Sequence, residues 1–303
     1  MNGAARVLAF AVGCAALFAV ALGVGSVVGP INTEPAEADH GGGMGGDGGS
    51  DDMDDMAGMD DMGTDHGVGG LEAAAGGYSL ALTSAGLEAG RQPLTFAVTG
   101  PDGARVTAYD EQHERDLHLV VVRRDLTGFQ HVHPDLDPTT GEWTTDVDLD
   151  PGAWRVLADF VPAGGDKLVL GADLLVAGDF EPQPLGGDVV VAQADGYDVR
   201  LDRTDDADGG SLLTATVTRD GAPVTDLEPY LGAYGHLVAL REGDLGYLHV
   251  HPEEGAPGPE IAFGTEFPSA GRYRLFLQFQ HAGTVHTVAF TTTVETAEDH
   301  DEH

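Results

Sequence analysis

The sequence predicts an all-β protein: two tandem immunoglobulin-like or Greek-key β-sandwiches behind an N-terminal hydrophobic segment and a disordered Met/Asp/Gly-rich tail. Three observations predict it. From Leu71 onward, short alternating apolar runs are punctuated by Gly, Pro and Asp at the spacing of sandwich strands. No stretch beyond the N-terminal segment holds a helical period. The strand series also occurs twice: "HLVVVRRDLTGFQHVHP" (118–134) and "HLVALREGDLGYLHVHP" (236–252) agree at nine of seventeen positions without a gap.

Residues 1–38 read as a signal peptide or membrane anchor. A single charge, Arg6, precedes an uncharged stretch from Val7 to Gly29. That stretch is long enough to cross a bilayer and somewhat long for the apolar part of a signal peptide. The acidic chain behind it orients the rest outward. Cleavage after Ala36-Glu37-Ala38 and a retained anchor at 7–29 both stay open. Either way the sequence predicts export to the extracellular space or cell envelope, with membrane contact through this segment alone. Residues 39–70 are glycine-rich and acidic without an aromatic side chain, too polar to bury a core, and read as a flexible tail. Residues 71–178 form the first sandwich repeat, 179–194 a Pro/Gly linker, 195–295 the second repeat and 296–303 an acidic end. Downstream of the histidine blocks, "GAWRVLADF" (152–160) matches "GRYRLFLQF" (271–279) with a one-residue shift.

Composition excludes several classes of function. Cys14, inside the export segment, is the only cysteine, so the exported part has no disulfide, thiolate nucleophile or cysteine metal ligand. The whole chain's 51 acidic residues against 14 basic ones give a net charge of −37, which makes nucleic acid a poor partner. With 42% apolar residues, a core can form without cross-links. No nucleophile–base pair, phosphate loop or carboxylate dyad stands out, so no catalytic residue is assigned.

The histidines carry the chemistry. Each repeat holds H-x12-H-x-H-P: His118, His131 and His133 in the first, His236, His249 and His251 in the second. Residues i and i+2 of a strand project from one face, about 6–7 Å apart. In an antiparallel hairpin, opposed residue numbers share one sum. A turn at Gly243-Asp244 sets it at 487 (243 plus 244) and puts His236 opposite His251. A centre at Asp125-Leu126 does the same for His118 and His133, although its turn chemistry is weaker. A slip of one residue would send the third imidazole to the other face. Three neutral imidazoles suit Cu(II), Zn(II) or Ni(II), the affinity order favours copper, and a fourth position stays open. The competing reading is structural, with histidines capping strand ends or bonding across a sandwich. His113, His281 and His286 each occur in one repeat only and read as extra ligands or plain surface histidines.

Apart from Met1, every methionine lies in the tail: Met44, Met53, Met56, Met59 and Met62, with His40 and His66 nearby. They are therefore not core fillers. Thioethers select Cu(I), so this tail is a second candidate metal site; an acidic spacer is the alternative.

The blocks "LHLVVVRRDLTGFQHVHP", "PYLGAYGHLVALREGDLGYLHVHP" and "YRLFLQFQHAGTVHTVAF" resemble an uncharacterised family of exported, HVHP-containing bacterial proteins, frequent in actinobacteria and often described as secreted or heavy-metal-associated. The resemblance covers about residues 78 to 295 and implies export and architecture more than activity. "GFQHVHP" is also similar to a block of copper/zinc superoxide dismutases, but that family's bridging-histidine region and disulfide cysteines are missing. These readings predict an exported protein that sequesters or delivers copper, the triads holding Cu(II) or zinc and the tail Cu(I). Its partners would be the metal ion and copper-handling membrane proteins. The alternative is a cell-surface interaction module with structural histidines, and redox chemistry at an open copper site ranks third.

Overall fold

The computed structural model describes residues 68–83, 86–206 and 209–295, all in one compact unit. The N-terminal segment, the acidic end and the tail residues His40, Met44, Met53, Met56, Met59, Met62 and His66 lie outside the described residues, as do the side chains of His249 and His251. Among the described residues, no helix is long and apolar enough to cross a membrane.

The first repeat contributes β1 (Ala74–Ala75), β2 (Tyr78–Leu82), β3 (Gly90–Thr99), β4 (Tyr109–Asp110), β5 (Leu117–Arg123), β6 (Gln130–Val132), β7 (Asp135–Asp137), β8 (Glu142–Leu149), β9 (Gly152–Pro162) and β10 (Leu168–Val176). The second contributes β11 (Val191–Ala194), β12 (Tyr197–Asp205), β13 (Gly210–Arg219), β14 (Ala222–Pro223), β15 (His236–Arg241), β16 (Tyr247–Pro252), β17 (Glu260–Glu266), β18 (Gly271–His281) and β19 (Thr284–Val294). In the first repeat, β1-β2-β3-β8-β7 face β10-β9-β5-β6, and β4 adds to β9. In the second, the order β11-β12-β13-β17-β16-β15-β18-β19 repeats that arrangement. β16 alone spans both sheets, pairing β15 through Tyr247–Val250 and β17 through His251 and Pro252. The first repeat breaks at the same place, between β6 and β7 at His133-Pro134. A proline has no N–H for a ladder, so it suits a point where a strand changes sheets.

Both hairpin registers are those the sequence predicts. Leu119 pairs Val132 and Val120 pairs His131, a sum of 251 (119 plus 132), which puts His118 opposite His133. Leu237 pairs Val250, a sum of 487, which puts His236 opposite His251.

The two repeats are not beads on a string. Leu117, Leu119 and Val121 point into the first sandwich core. Leu237 and Ala239 point into the second. The alternate residues, Val120 and Val122 with Val238 and Leu240, form a third cluster together with Leu126, Leu157, Leu245, Tyr247 and Phe276. This cluster is a seam between the repeats, and Phe129 stacks on Phe276 across it at 4.0 Å and 6°. β5 and β15 are covered on both faces, so "LHLVVV" and "HLVALR" are nearly continuous apolar runs rather than alternating ones.

Two boundaries differ from the sequence expectation. The fold begins before Leu71: Gly69 bridges Tyr247, and Gly70 N–H bonds Val169 O at 2.9 Å. The buried Arg155 guanidinium donates to the carbonyls of Gly70 and Leu71, at 2.6 and 2.7 Å. A side chain at Gly70 would collide with Leu157, which is why this glycine-rich stretch, tail-like in composition, fits the groove. The linker is also engaged. Gln183 N–H donates to Asp125, Asp188 accepts from Thr293, and Val191–Ala194 is strand β11 paired with β12.

Candidate metal centre

His118 stands on the seam face of β5, in parity with Val120 and Val122. His131, opposite Val120, shares that face, and His133 lies one residue beyond β6. The hairpin brings their ring nitrogens together: His118 Nδ1 is 3.1 Å from His131 Nε2 and 3.2 Å from His133 Nε2. The three donor atoms all lie within 4.8 Å of one another. For metal–nitrogen bonds of about 2.0–2.1 Å, a tetrahedral edge is about 3.3 Å, close to both approaches.

The outer nitrogens decide the chemistry. His118 Nε2 lies 2.8 Å from the carbonyl of Gln112. A carbonyl only accepts, so Nε2 carries the proton and Nδ1 of the neutral ring is unprotonated. His131 Nδ1 lies 2.7 Å from Gln278 Oε1, and that oxygen likewise places the proton on Nδ1 and leaves Nε2 unprotonated. Two lone pairs therefore meet at 3.1 Å, and no neutral tautomer that keeps both outer bonds relieves them. His133 can donate to His118, which leaves the His118–His131 pair as it was. On His131 and His133 a proton does not supply the missing charge at neutral pH. Burial, then the neighbouring His118 and His133 imidazoles, push His131 down to about 3. Burial, then His118, Arg115 and His236, push His133 to about 3 as well. The arrangement fits a metal cation, and its outer-nitrogen acceptors are those that hold metal-ligating imidazoles elsewhere.

The turn behind His118 holds the Gln112 carbonyl in place. Gln112 and Arg115 exchange backbone hydrogen bonds of 2.8 and 3.0 Å around His113 and Glu114, at φ of 49° and 63°. The second repeat copies it: Tyr230 and Ala233 close around Leu231 and Gly232, and Tyr230 O accepts from His236 Nε2 at 2.7 Å. His236 thus also faces the seam. His113 sits between the repeats, its ring 6.0 Å from that of His118 and 5.6 Å from that of His236. A cavity of about 20 Å³ lies among His113, His118, His131 and His236. Of the second triad, the structure describes His236 and the backbone register of His249 (opposite Val238) and His251 (opposite Gly264).

His281 and His286 are not brought to this centre. Phe279 pairs with His286 and points into the second core, the opposite face of β18 from Gln278. Both histidines flank buried Tyr197 instead. His281 bonds its hydroxyl at 2.6 Å and Asp226 at 3.1 Å, and His286 bonds Asp195 at 2.8 Å. Gln278 and the Gln112 carbonyl were missed from sequence. A sign of the first existed: the aligned blocks place Gln278 against Asp159, a polar residue at the same point of each apolar strand.

Fold and site together define a tandem β-sandwich protein with a three-histidine cluster at the seam between its repeats. The chain belongs to the DUF8832 family, described as a domain of unknown function, whose pattern matches residues 73–173 and 192–296. No curated protein matches it. Among solved structures it is similar to a DUF4426 family protein from Pseudomonas aeruginosa PAO1, with 9% identity, 34% of this chain and 94% of that one covered, and a TM-score of 0.28. It is also similar to the fibronectin(III)-like modules of Clostridium thermocellum CbhA, with 14% identity, 74% and 98% covered, and a TM-score of 0.21. The FN1–FN3 domains of chicken CNTN1 follow, with 10% identity, 71% and 64% covered, and a TM-score of 0.22.

Proposed function

We propose that this chain is an exported metal-binding protein that holds a divalent transition ion, copper or zinc, at His118, His131 and His133. The carrying observation is the 3.1 Å approach of two imidazole nitrogens whose protons are committed to acceptors on the far side. Such a pair is repulsive without a cation. Imidazole ligands admit Cu(II) and Zn(II), and the affinity order favours copper. Sequestration or delivery outside the cytoplasm rests on the export segment. The Met tail would take Cu(I) through Met53, Met56, Met59 and Met62 and pass it to a membrane partner. These parts rest on sequence alone.

The test is a titration of metal-stripped protein with Cu(II) and Zn(II), beside His118→Ala and His131→Ala. A tight equivalent lost in both variants supports the reading. No tight binding, or binding equal in the variants, returns the histidines to structure and favours the interaction module.

A further inference from the structure

We propose that Gln278 of the second repeat is a positioning residue for the first repeat's centre, so that the metal site exists only when the two repeats are docked. The inference rests on the metal-binding reading above. His131 and Gln278 are 147 residues apart in sequence and 2.7 Å apart in space. Gln278 lies on the seam face of β18, in parity with Phe276, and is 8% exposed. Its amide nitrogen donates to Thr287 Oγ1 at 3.3 Å, and its Oε1 faces the imidazole. A buried amide among aliphatic and aromatic neighbours is retained only with its hydrogen bonds made.

The role follows from tautomer chemistry. With Oε1 accepting from Nδ1–H, His131 Nε2 is unprotonated and aimed at His118 Nδ1. Without that acceptor the proton moves to Nε2, which then donates to His118 Nδ1 at the same 3.1 Å. That neutral pair closes on itself, and a metal ion must first break it. Gln278 therefore holds the centre in its ligating form.

The crossing is reciprocal. Asp159 is paired with His118 as Gln278 is paired with His236. Asp159 accepts at 3.0 Å from the hydroxyl of Tyr247, a residue of the other repeat. Equivalent positions of both repeats thus place polar groups across the seam. Metal binding and repeat docking are then linked: loosening the seam lowers apparent affinity by the docked fraction.

The experiment uses the full chain and Co(II), which thioethers bind poorly and whose visible absorption reports histidine coordination. Gln278→Leu removes the acceptor. Gln278→Glu keeps an acceptor that cannot donate when ionised. Gln278→Asn shortens the reach and replaces the leucine variant if that one does not fold. The expected result is a loss of roughly 10–100-fold in affinity for Gln278→Leu or Gln278→Asn, and affinity at or above wild type for Gln278→Glu, with circular dichroism unchanged. Wild-type affinity in the leucine or asparagine variant overturns the inference while leaving the metal reading intact, as does a glutamate variant as weak as leucine. Absence of histidine-type Co(II) binding in the unaltered chain removes both.

Discussion

Gly128→Ala joins the motif to the fold. Gly128 opens "GFQHVHP" at φ +65°, two residues before β6. An added Cβ would lie 2.5 Å from Trp154 Cη2 and 3.1 Å from Cζ3. The indole cannot step aside easily, because Trp154 is 1% exposed and its N–H bonds Asp150 O at 2.8 Å. Alanine in the left-handed region costs about 1–2 kcal/mol. Overpacking a filled core adds about 1–3 kcal/mol, for a total of about 2–5 kcal/mol. Gly196, at φ +83° with open space where a Cβ would stand, is the control and carries the backbone cost alone. Guanidinium unfolding of metal-free protein should rank Gly128→Ala below Gly196→Ala by the overpacking increment. The displaced chain is the one that holds His131 and His133, whereas His118 is fixed by β9 on its other side. Gly128→Ala should therefore also weaken metal binding, and Gly196→Ala should not. Equal stabilities would refute the steric argument. A destabilised Gly128→Ala with wild-type affinity would refute the coupling of this turn to the site.

Three further outcomes are expected. Phe276→Ala removes the ring stacked on Phe129 and should cost about 3–5 kcal/mol in unfolding, with metal affinity falling because the seam loosens. A saturating ion at about one hundred times its Kd should stabilise the protein by about 2.7 kcal/mol, and differential scanning should show no such gain in His131→Ala. Burial alone would raise Asp125, but hydrogen bonds from Arg123, Gln183 N–H and Thr127 hold it below the usual carboxylate range. Its stabilisation is present above the unfolded carboxylate pKa and is lost as pH falls through the lower folded value. Asp125→Asn should therefore be less stable than wild type at neutral pH, with the gap closing in acid; a gap constant with pH would refute this.

What could be read from sequence was local. Strand periodicity and the constant register sum involve residues within one hairpin, and both reappear. The second turn does not, because Leu245 N–H bonds Arg241 O at 3.0 Å and closes a longer loop than the two-residue turn expected at Gly243-Asp244. The first turn lacks a central glycine and closes one residue earlier than its expected centre: Leu126 N–H bonds Arg123 O at 2.7 Å with Leu126 at φ +62°, while Asp125 accepts from Arg123 and Thr127. Side-chain bonds there replace the turn chemistry that sequence could score. The seam was not read, because it joins residues far apart in the chain, such as Phe129 and Phe276. Its mark was present in "LHLVVV" and "HLVALR", whose apolar residues fill both parities where a half-exposed strand would alternate.

That double burial bears on why histidines stand where they do. In an isolated repeat, the face carrying His118, Val120 and Val122 would meet water, and an imidazole there would be ordinary. Docking the repeats turns it into an interior, where His118 and His236 are 5% and 8% exposed among valines, leucines and Phe276. Filling such a seam with aliphatic side chains would meet no polar desolvation. The Gln112 and Tyr230 carbonyls offset part of the imidazoles' burial by satisfying their outer nitrogens. The inner nitrogens of His118 and His131 do not bond each other in that arrangement, because each outer bond removes the proton that would have let them. Two acceptors that keep those nitrogens unprotonated leave a place between them that the proposed cation would fill.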